Sequence, residues 1–370
     1  MKAVIIGAGL SGIVIANLLS QHVESIDIYD KRDHIGGNCY DYLQDGVLTH
    51  RYGAHLFHTN IEEVFLYLSQ FTGWHDYKHV VKVDLNHEYY DMPINRSTIN
   101  KFFNINLQTE QEVKDFLDSK RLHIEPTNAE EQVLSLVGKE LYEAFFKEYT
   151  KKQWNKDPKD LDKSITARIP VRYDDNSFYF DDVHQCMPKD GFTAMFEKML
   201  RKPNIHVHLN TNMLKSDMQH LENDEKTIII WTGKVDEYFN YSFGELEYRS
   251  LKFEFTTYKK RYYQDYAVVN YTGSQPYTRI LEMKHATGQN INNTVIVKEY
   301  PADKGESYYP VINKRNSEIL EKYQHLERPK NVYFLGRLGG YKYINMDQSV
   351  ANAIELFKQI KERNKAYEIY

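Results

Sequence analysis

The sequence predicts an α/β protein: a Rossmann-like dinucleotide-binding domain with a helical insertion, joined to an antiparallel β-sheet domain. Three observations predict this class. A short apolar strand, Lys2 to Ile6, runs directly into Gly7-Ala8-Gly9-Leu10-Ser11-Gly12 and then an apolar helical stretch. Residues 97–163 carry mostly helical periodicity. From about 225 to 300 β-formers dominate, with turn residues such as Gly273-Ser274-Gln275-Pro276 between them. A length of 370 residues suggests two or three domains. The division expected is 1–78, 187–239 and 328–370 for the dinucleotide domain, 97–163 for the helical insertion, and 79–96, 164–186 and 240–327 for the antiparallel sheet.

The elements follow in chain order. Ser25 to Asp30 is a second strand after the first helix, Ile26 and Ile28 alternating with polar residues. Thr59-x-x-Glu62 predicts a capping box, with Ile61, Val64, Phe65 and Leu68 forming one helical face. A second box is expected at Thr127-x-x-Glu130, and Tyr142, Phe145, Phe146 and Tyr149 recur at helical spacing. The stretch from Trp154 to Arg168 holds Pro158 and many charges but no continuous apolar face, so a mobile or loosely packed connection is expected. Thr227 to Trp231 and Asn331 to Leu335 read as strands. Leu246 to Thr257, Tyr266 to Tyr271, Tyr277 to Met283 and Thr294 to Tyr300 read as antiparallel strands. The last helix runs from about Ser349 to Arg363.

Composition excludes several classes of function. Hydrophobic residues are 41% and charged residues 27%, a globular balance. A net charge of −5 gives no basic excess for nucleic acid or an anionic membrane, so neither is an expected partner. The longest apolar runs fall far short of the roughly 18 residues of a bilayer span, which argues against membrane insertion. The N-terminus enters the first strand at once, so no signal peptide is read and a cytoplasmic location is expected. Cys39 and Cys186 are too few for a disulfide scaffold or a four-Cys zinc site, and His50, His55 and His58 form no recognised ligand spacing; no metal is expected. Tyrosine is abundant at 30 residues, and a ring with a hydroxyl suits a site for a polar, ring-shaped ligand, although most such rings belong to walls and core.

The glycine run carries the first chemistry. Gly7 makes the tight turn, Gly9 lets a pyrophosphate approach the backbone, and Gly12 lets helix and strand pack closely. The helix N-terminus offers free N–H groups for phosphate, and Asp30, closing the second strand, stands where a carboxylate grips an adenosine ribose. Lys31-Arg32-Asp33-His34-Ile35-Gly36-Gly37-Asn38 then suits a flavin better than a nicotinamide, because FAD needs a second stretch of close backbone. Gly336-Arg337-Leu338-Gly339-Gly340, ahead of Asn345-Met346-Asp347 and the last helix, offers a matching piece. A helix N-terminus there suits negative charge on a reduced flavin.

These blocks, with Tyr52-Gly53-Ala54-His55-Leu56-Phe57-His58-Thr59, the run Phe145-Phe146-Lys147-Glu148-Tyr149-Thr150-Lys151-Lys152-Gln153-Trp154, Arg168-Ile169-Pro170-Val171-Arg172 and Pro276-Tyr277-Thr278-Arg279, resemble the bacterial UDP-galactopyranose mutases nearly end to end. The resemblance implies a homodimeric flavoenzyme with FAD, active when reduced. It implies a redox-neutral isomerisation of UDP-galactopyranose to UDP-galactofuranose for cell-surface polysaccharide. Flavin N5 attacks the anomeric carbon and expels UDP, the adduct opens through an iminium ion, and the ring recloses through the 4-hydroxyl. A nucleotide-sugar substrate and an external reductant, such as NAD(P)H or a flavin reductase, follow as partners.

Residue roles are likewise what the resemblance implies. Arg168 and Arg279 bind the diphosphate; taken alone, without the flanking motifs, either reads as a surface ion pair. Arg168 is expected to arrive with a loop that closes over substrate. Phe145 and Tyr149, one helical turn apart, sandwich uracil beside Thr150, although spacing alone makes them a core stripe. Trp154, Tyr179, Phe180, Asn270, Tyr309 and Tyr343 line the sugar and diphosphate pocket, and Arg249 is a further cation. His55 lies beside the flavin, tuning it rather than acting as a base. The cofactor set comprises Gly7, Gly9, Ser11, Gly12, Asp30, Lys31, Gly37, Asn38, Leu56, Gly336, Arg337, Ile344, Asn345, Met346 and Asp347. Three positions depart from the family pattern: His79 replaces an Asn near substrate, Asn345 an Asp beside flavin and substrate, and Ala54 a Pro. The sugar is therefore open, with UDP-N-acetylgalactosamine or a dTDP-6-deoxy sugar such as dTDP-fucopyranose as alternatives. An amine-oxidase-type flavin oxidoreductase is a more distant one.

Overall fold

The computed structural model describes residues 1–167 and 170–367. A five-stranded parallel sheet orders the strands Ile205–His208, Ser25–Tyr29, Lys2–Ile6, Thr227–Trp231 and Val332–Phe334. Thr227–Trp231 is buried along its whole length, as a central strand covered on both faces must be. The helix Leu10–Leu19 is apolar nearly all round because it is sandwiched, packing on Phe192–Leu200 and on the long helix Met346–Tyr367. The carboxyl ends of these strands form the rim on which an open α/β sheet places its ligand.

The second sheet has seven strands, in the order Tyr309–Pro310, Tyr248–Tyr258, Thr294–Ala302, Arg279–Leu281, Val268–Tyr271, Val81–Leu85 and Glu88–Met92. It is mixed rather than antiparallel. Val268–Tyr271 runs parallel to Val81–Leu85, whose other edge is taken by its hairpin partner across Asn86 and His87, both at positive φ. One row of the sheet matters below: Asn270 pairs with Arg279, and Arg279 with Glu299, so the three side chains share a face.

Helices fill the insertion: Arg96–Phe103, Glu110–Lys120, Ala129–Leu141, a π-helical stretch Tyr142–Lys147, and Glu148–Trp154. Neither expected capping box forms. Thr59 lies in the strand Phe57–Thr59, and its hydroxyl donates to Asp347 at 3.1 Å, while the helix Glu62–Ser69 starts after Ile61 without a side-chain cap. At the second site Asn128, not Thr127, accepts from the Glu131 N–H, because Asn is the stronger cap. A complete box does form at Thr109 and Glu112.

Two expected boundaries also move. The strand His184–Pro188 pairs with Phe57–Thr59 and Trp74–Asp76, so residues 184–186 join the dinucleotide side rather than the mixed sheet. The short helix Ser164–Ala167 packs on the helical insertion, Thr166 Oγ1 donating to the Ala129 carbonyl at 3.1 Å. The segment after Trp154 is pinned rather than loose. Leu161 is 2% exposed in a cluster with Ala129, Trp154 and Val311, Pro158 is buried, and the Ala129 N–H donates to the Leu161 carbonyl. Single buried side chains do this work, which a search for a periodic apolar face misses.

Candidate active site

A cleft opens at the carboxyl ends of the parallel strands. The Gly7–Gly12 turn, Asp30, residues 36–38 and residues 336–338 line it, with Asn345 and Met346. Gly37 sits at φ +56, and a Cβ there would lie 2.8 Å from the Gly9 Cα, so this second glycine stretch packs directly on the first. Gly336, at φ +81, closes on Ser11, where a Cβ would meet the hydroxyl at 3.2 Å. The first helix has Gly9 at its N-cap and no side-chain cap, so its leading N–H groups are left for a phosphate. Asp30 ties the turn to the strand end, accepting from the Ala8 N–H at 2.8 Å and from the Arg32 N–H at 2.9 Å. Three separate runs of exposed backbone on one cleft fit the long dinucleotide FAD.

Of the expected cofactor residues, Gly7, Gly9, Ser11, Gly12, Asp30, Lys31, Gly37, Asn38, Gly336, Arg337, Asn345 and Met346 lie on the cleft wall, as does His55. Leu56, Ile344 and Asp347 are displaced from it. Leu56 packs against the main core, the Ile344 carbonyl accepts from Arg337 at 2.8 Å, and Asp347 accepts from Thr59. Among the wall residues that sequence reading missed are Thr232 and residues 211–213. They follow the strands Thr227–Trp231 and Ile205–His208, and the rule that ligands sit beyond strand carboxyl ends pointed to them.

Arg337 links this cleft to a second group of side chains. Its guanidinium lies 5.4 Å from the ring centre of Tyr309 and 5.1 Å from that of Tyr343, and the two rings stack on each other. Trp154 lies beside Tyr309. Beyond them stands Arg279, whose Nη2 donates to the Tyr149 hydroxyl at 2.8 Å and whose Nε is 3.2 Å from Glu299 Oε1. The Arg279 side chain as a whole is 26% exposed, whereas Glu299 is 2% exposed. Burial pushes the Glu299 carboxyl up, and Arg279 opposes that shift. The Arg279–Glu299 contact lacks hydrogen-bond alignment, so Arg279 Nε and Glu299 Oε1 are both left without a hydrogen bond, as is the neighbouring Asn270 Oδ1. The orphaned Arg279 Nε is a donor for an anion, whereas Glu299 Oε1 and Asn270 Oδ1 are acceptors that call for donors such as hydroxyls.

Other expected substrate residues divide. Tyr179 and Phe180 pack around His79 at ring distances of 5.8 and 6.0 Å, and Phe180 also stacks on His58, itself bonded to Asp182. Thr150 is buried on the Tyr149 helix. Phe145, expected to stack on uracil, is 2% exposed and enclosed edge-on by Tyr90 and Phe102, so here it is core. Arg249, expected as a further cation at the site, is 5% exposed and spent on an ion pair with Asp303 and a bond to the Gln153 carbonyl. Arg168, expected as the second diphosphate ligand, lies outside the described residues.

Three histidines near the cleft are neutral at physiological pH. Burial pushes His55 down to about 3, with His50 adding to the shift, and His50 itself to about 4. His55 Nδ1 donates to the Gly53 carbonyl at 3.1 Å, which makes Nε2 the acceptor nitrogen of the neutral ring. His79 is pushed to about 3 by burial, with the Arg279 charge acting in the same direction.

Comparison with known proteins agrees with this geometry. Residues 144–343 match the family model for UDP-galactopyranose mutase, and residues 5–71 that for an NAD(P)-binding Rossmann-like domain. The chain is 41% identical over 363 residues to a probable UDP-galactopyranose mutase of Klebsiella pneumoniae, covering 95% of this chain and 92% of that one. It is 36% identical to a dTDP-fucopyranose mutase of Escherichia coli, covering 98% of this chain and 99% of that one. A crystal structure of reduced UDP-galactopyranose mutase shares the fold with a TM-score of 0.76 at 15% identity, over 98% of this chain and 94% of that chain. A putrescine oxidase shares it at a TM-score of 0.60 and 12% identity, over 98% and 99%, a likeness of fold alone. Among the described residues no helix is long and apolar enough to cross a membrane. The chain belongs to the UDP-galactopyranose mutase family, and its enzyme type is an isomerase of nucleotide sugars.

Proposed function

We propose that this enzyme contracts the ring of a nucleotide-linked pyranose to the furanose without net redox change, with UDP-galactopyranose as the first candidate. The observation that carries the reading is the continuity from the glycine cleft through Arg337, Tyr309 and Tyr343 to Arg279. It supports a role for Arg279 as the cation that takes the diphosphate beside a dinucleotide cleft. FAD, when bound and reduced, supplies a nucleophilic nitrogen for the anomeric carbon.

The protein's own groups bind, orient and shield. Gly7 to Gly12, residues 36–38 and residues 336–338 hold the cofactor through backbone. Arg279, joined by Arg168, takes the diphosphate and stabilises the charge that gathers on departing UDP. Tyr149 orients Arg279 through its hydroxyl, and Tyr309, Tyr343, Trp154 and Tyr179 wall off water. His55 is a fixed neutral acceptor at the cleft. An external reductant keeps the flavin reduced, and a homodimer is the assembly proposed.

The test is direct. Dithionite-reduced protein, held without oxygen, is incubated with UDP-galactopyranose and the product is resolved from substrate by chromatography. Furanose formed by reduced but not oxidised enzyme, with no reductant consumed per turnover, is the expected result. Equal turnover by the oxidised form, or a product of altered oxidation state, overturns the reading. A second reading, a dTDP-6-deoxy sugar, is favoured by the 36% identity to the dTDP-fucopyranose mutase and by His79 in the sugar region. Offering both nucleotide sugars in the same assay separates the two.

A further inference from the structure

The helix Glu148–Trp154, which carries Tyr149, also carries Lys152, and the ammonium of Lys152 makes an unusual set of contacts. It donates to the main-chain carbonyls of Tyr271 at 2.9 Å, Gly273 at 3.1 Å, Gln275 at 2.9 Å and Tyr277 at 3.2 Å. These are alternate residues of one turn, all with the carbonyl pointed inward. An ammonium has three N–H donors, so four acceptors are held by its charge as much as by one-to-one bonds. Without a cation the four carbonyl dipoles converge on one another. The turn is closed by the Tyr271 N–H donating to the Thr278 carbonyl at 2.8 Å. Its two ends are Asn270, with an unsatisfied side-chain oxygen, and Arg279.

We propose that Lys152 is a positioning residue: its ammonium serves as the built-in cation of a main-chain carbonyl ring, and by gripping the 271–277 turn it fixes where Arg279 stands relative to Tyr149. One residue thereby ties the helix that presents Tyr149 to the turn that presents Arg279. The effect on substrate rests on the reading of Arg279 as a diphosphate ligand; the effect on the turn does not.

The experiment uses the full flavoprotein with Lys152→Ala and Lys152→Gln. Propylammonium replaces the atoms that the alanine variant lacks, and propyltrimethylammonium offers charge without N–H donors. Hydrogen exchange of the peptide spanning 270–279 and UDP affinity are measured with and without each additive. In Lys152→Ala the turn should exchange faster and UDP affinity should fall about tenfold or more, a loss typical of hydrogen bonds to a charged group. FAD content should be unchanged, and propylammonium but not the quaternary ion should restore both readouts. Lys152→Gln, with two donors, should fall between; if Lys152→Ala loses its flavin, the glutamine variant is read by the same two measures. Wild-type exchange in both variants, or a loss that propylammonium leaves untouched, overturns the proposal. If the unmodified enzyme binds no UDP, the reading of Arg279 fails, while exchange and its rescue still decide the role of Lys152.

Discussion

Arg279 Nη2 donates to the hydroxyl of Tyr149 at 2.8 Å, so the guanidinium expected on the diphosphate and the ring expected against uracil are a bonded pair. Arg279 sits on the strand Arg279–Leu281, away from the cleft wall, so its removal should leave the cofactor site intact. Arg279→Ala should lose about 1.5–3 kcal/mol of substrate binding, and more where charge develops in the transition state. Flavin content should match the unmodified enzyme. Arg279→Lys should rescue only in part, because a point charge makes no bidentate fork. Tyr149→Phe should raise KM more than it lowers kcat. Steady-state kinetics with flavin quantified in each preparation checks all three; an Arg279→Ala enzyme with ordinary kcat/KM would show that the diphosphate lies elsewhere.

His50, His55 and His79 are pushed to about 4, 3 and 3. Their folded values lie below the unfolded value of about 6.5, so the unfolded chain binds more protons in between. Stability from these groups is therefore fully present above about pH 6.5 and falls as pH drops toward 4. Tm should decline steeply over that window, and His79→Asn should flatten part of the decline. Between pH 6.5 and 8 none of the three titrates, so kcat should show no limb that His55→Gln removes. A rate limb near pH 6.5 that vanishes in His55→Gln would mean this imidazole is solvated and protonating.

The dinucleotide half was legible because its rules are local: a strand, three glycines, a helix and an acid in fixed order leave one architecture open. Further parts of its wall, among them Thr232 and residues 211–213, follow two distant strands and carry no motif. Phe145 and Tyr149 show the opposite difficulty. Spacing puts both on one helical face, but only the fold sets Phe145 among Tyr90 and Phe102 and Tyr149 against Arg279. Arg249 is similar: a cation in a sequence says nothing of Asp303, which takes its charge from 54 residues away. Lys152 stands in the sequence only as one letter of the Phe145-to-Trp154 block, with no role of its own, because main-chain carbonyls leave no trace in sequence.

Gly37 tests the cofactor cleft. Its φ of +56 disfavours a side chain, and a Cβ would stand 2.8 Å from backbone of Gly9. Gly37→Ala should push the two glycine stretches apart and reduce flavin retained after gel filtration. Thermal stability of the flavin-free form should change far less than flavin affinity. Undiminished flavin content in Gly37→Ala would mean that the cofactor does not depend on this contact.

The segment after Trp154 should resist protease in the free enzyme, because Leu161, Pro158 and Thr166 are buried against the helical insertion. Leu161→Ala should cost roughly 2–5 kcal/mol and open the segment to cleavage between Asn155 and Ala167. If the unmodified enzyme is cut there and UDP protects it, the segment moves with substrate, and the closing loop expected from the sequence regains its support.

The sugar is the last question, and His79 is the place to ask it. The imidazole is 4% exposed, sits between Tyr77, Tyr179 and Phe180, and feels the Arg279 charge. Being neutral, it carries one donor and one acceptor, and Tyr77 engages Nδ1 at 3.2 Å. The remaining Nε2 differs in reach and role from the amide of an asparagine. A site built to bond a sugar hydroxyl rejects the analogue that lacks it far more strongly than a merely apolar pocket does. UDP-galactopyranose keeps its 6-hydroxyl and dTDP-fucopyranose does not, and because the two also differ in the nucleoside, it is the change in their kcat/KM ratio on substituting His79 that reports whether His79 reads that end of the ring. His79→Asn should shift the ratio by about tenfold, the scale of one hydrogen bond, while UDP affinity stays within twofold. If both sugars change in parallel, or UDP affinity falls with them, His79 supports the packing of Tyr179 and Phe180 and the sugar is chosen elsewhere.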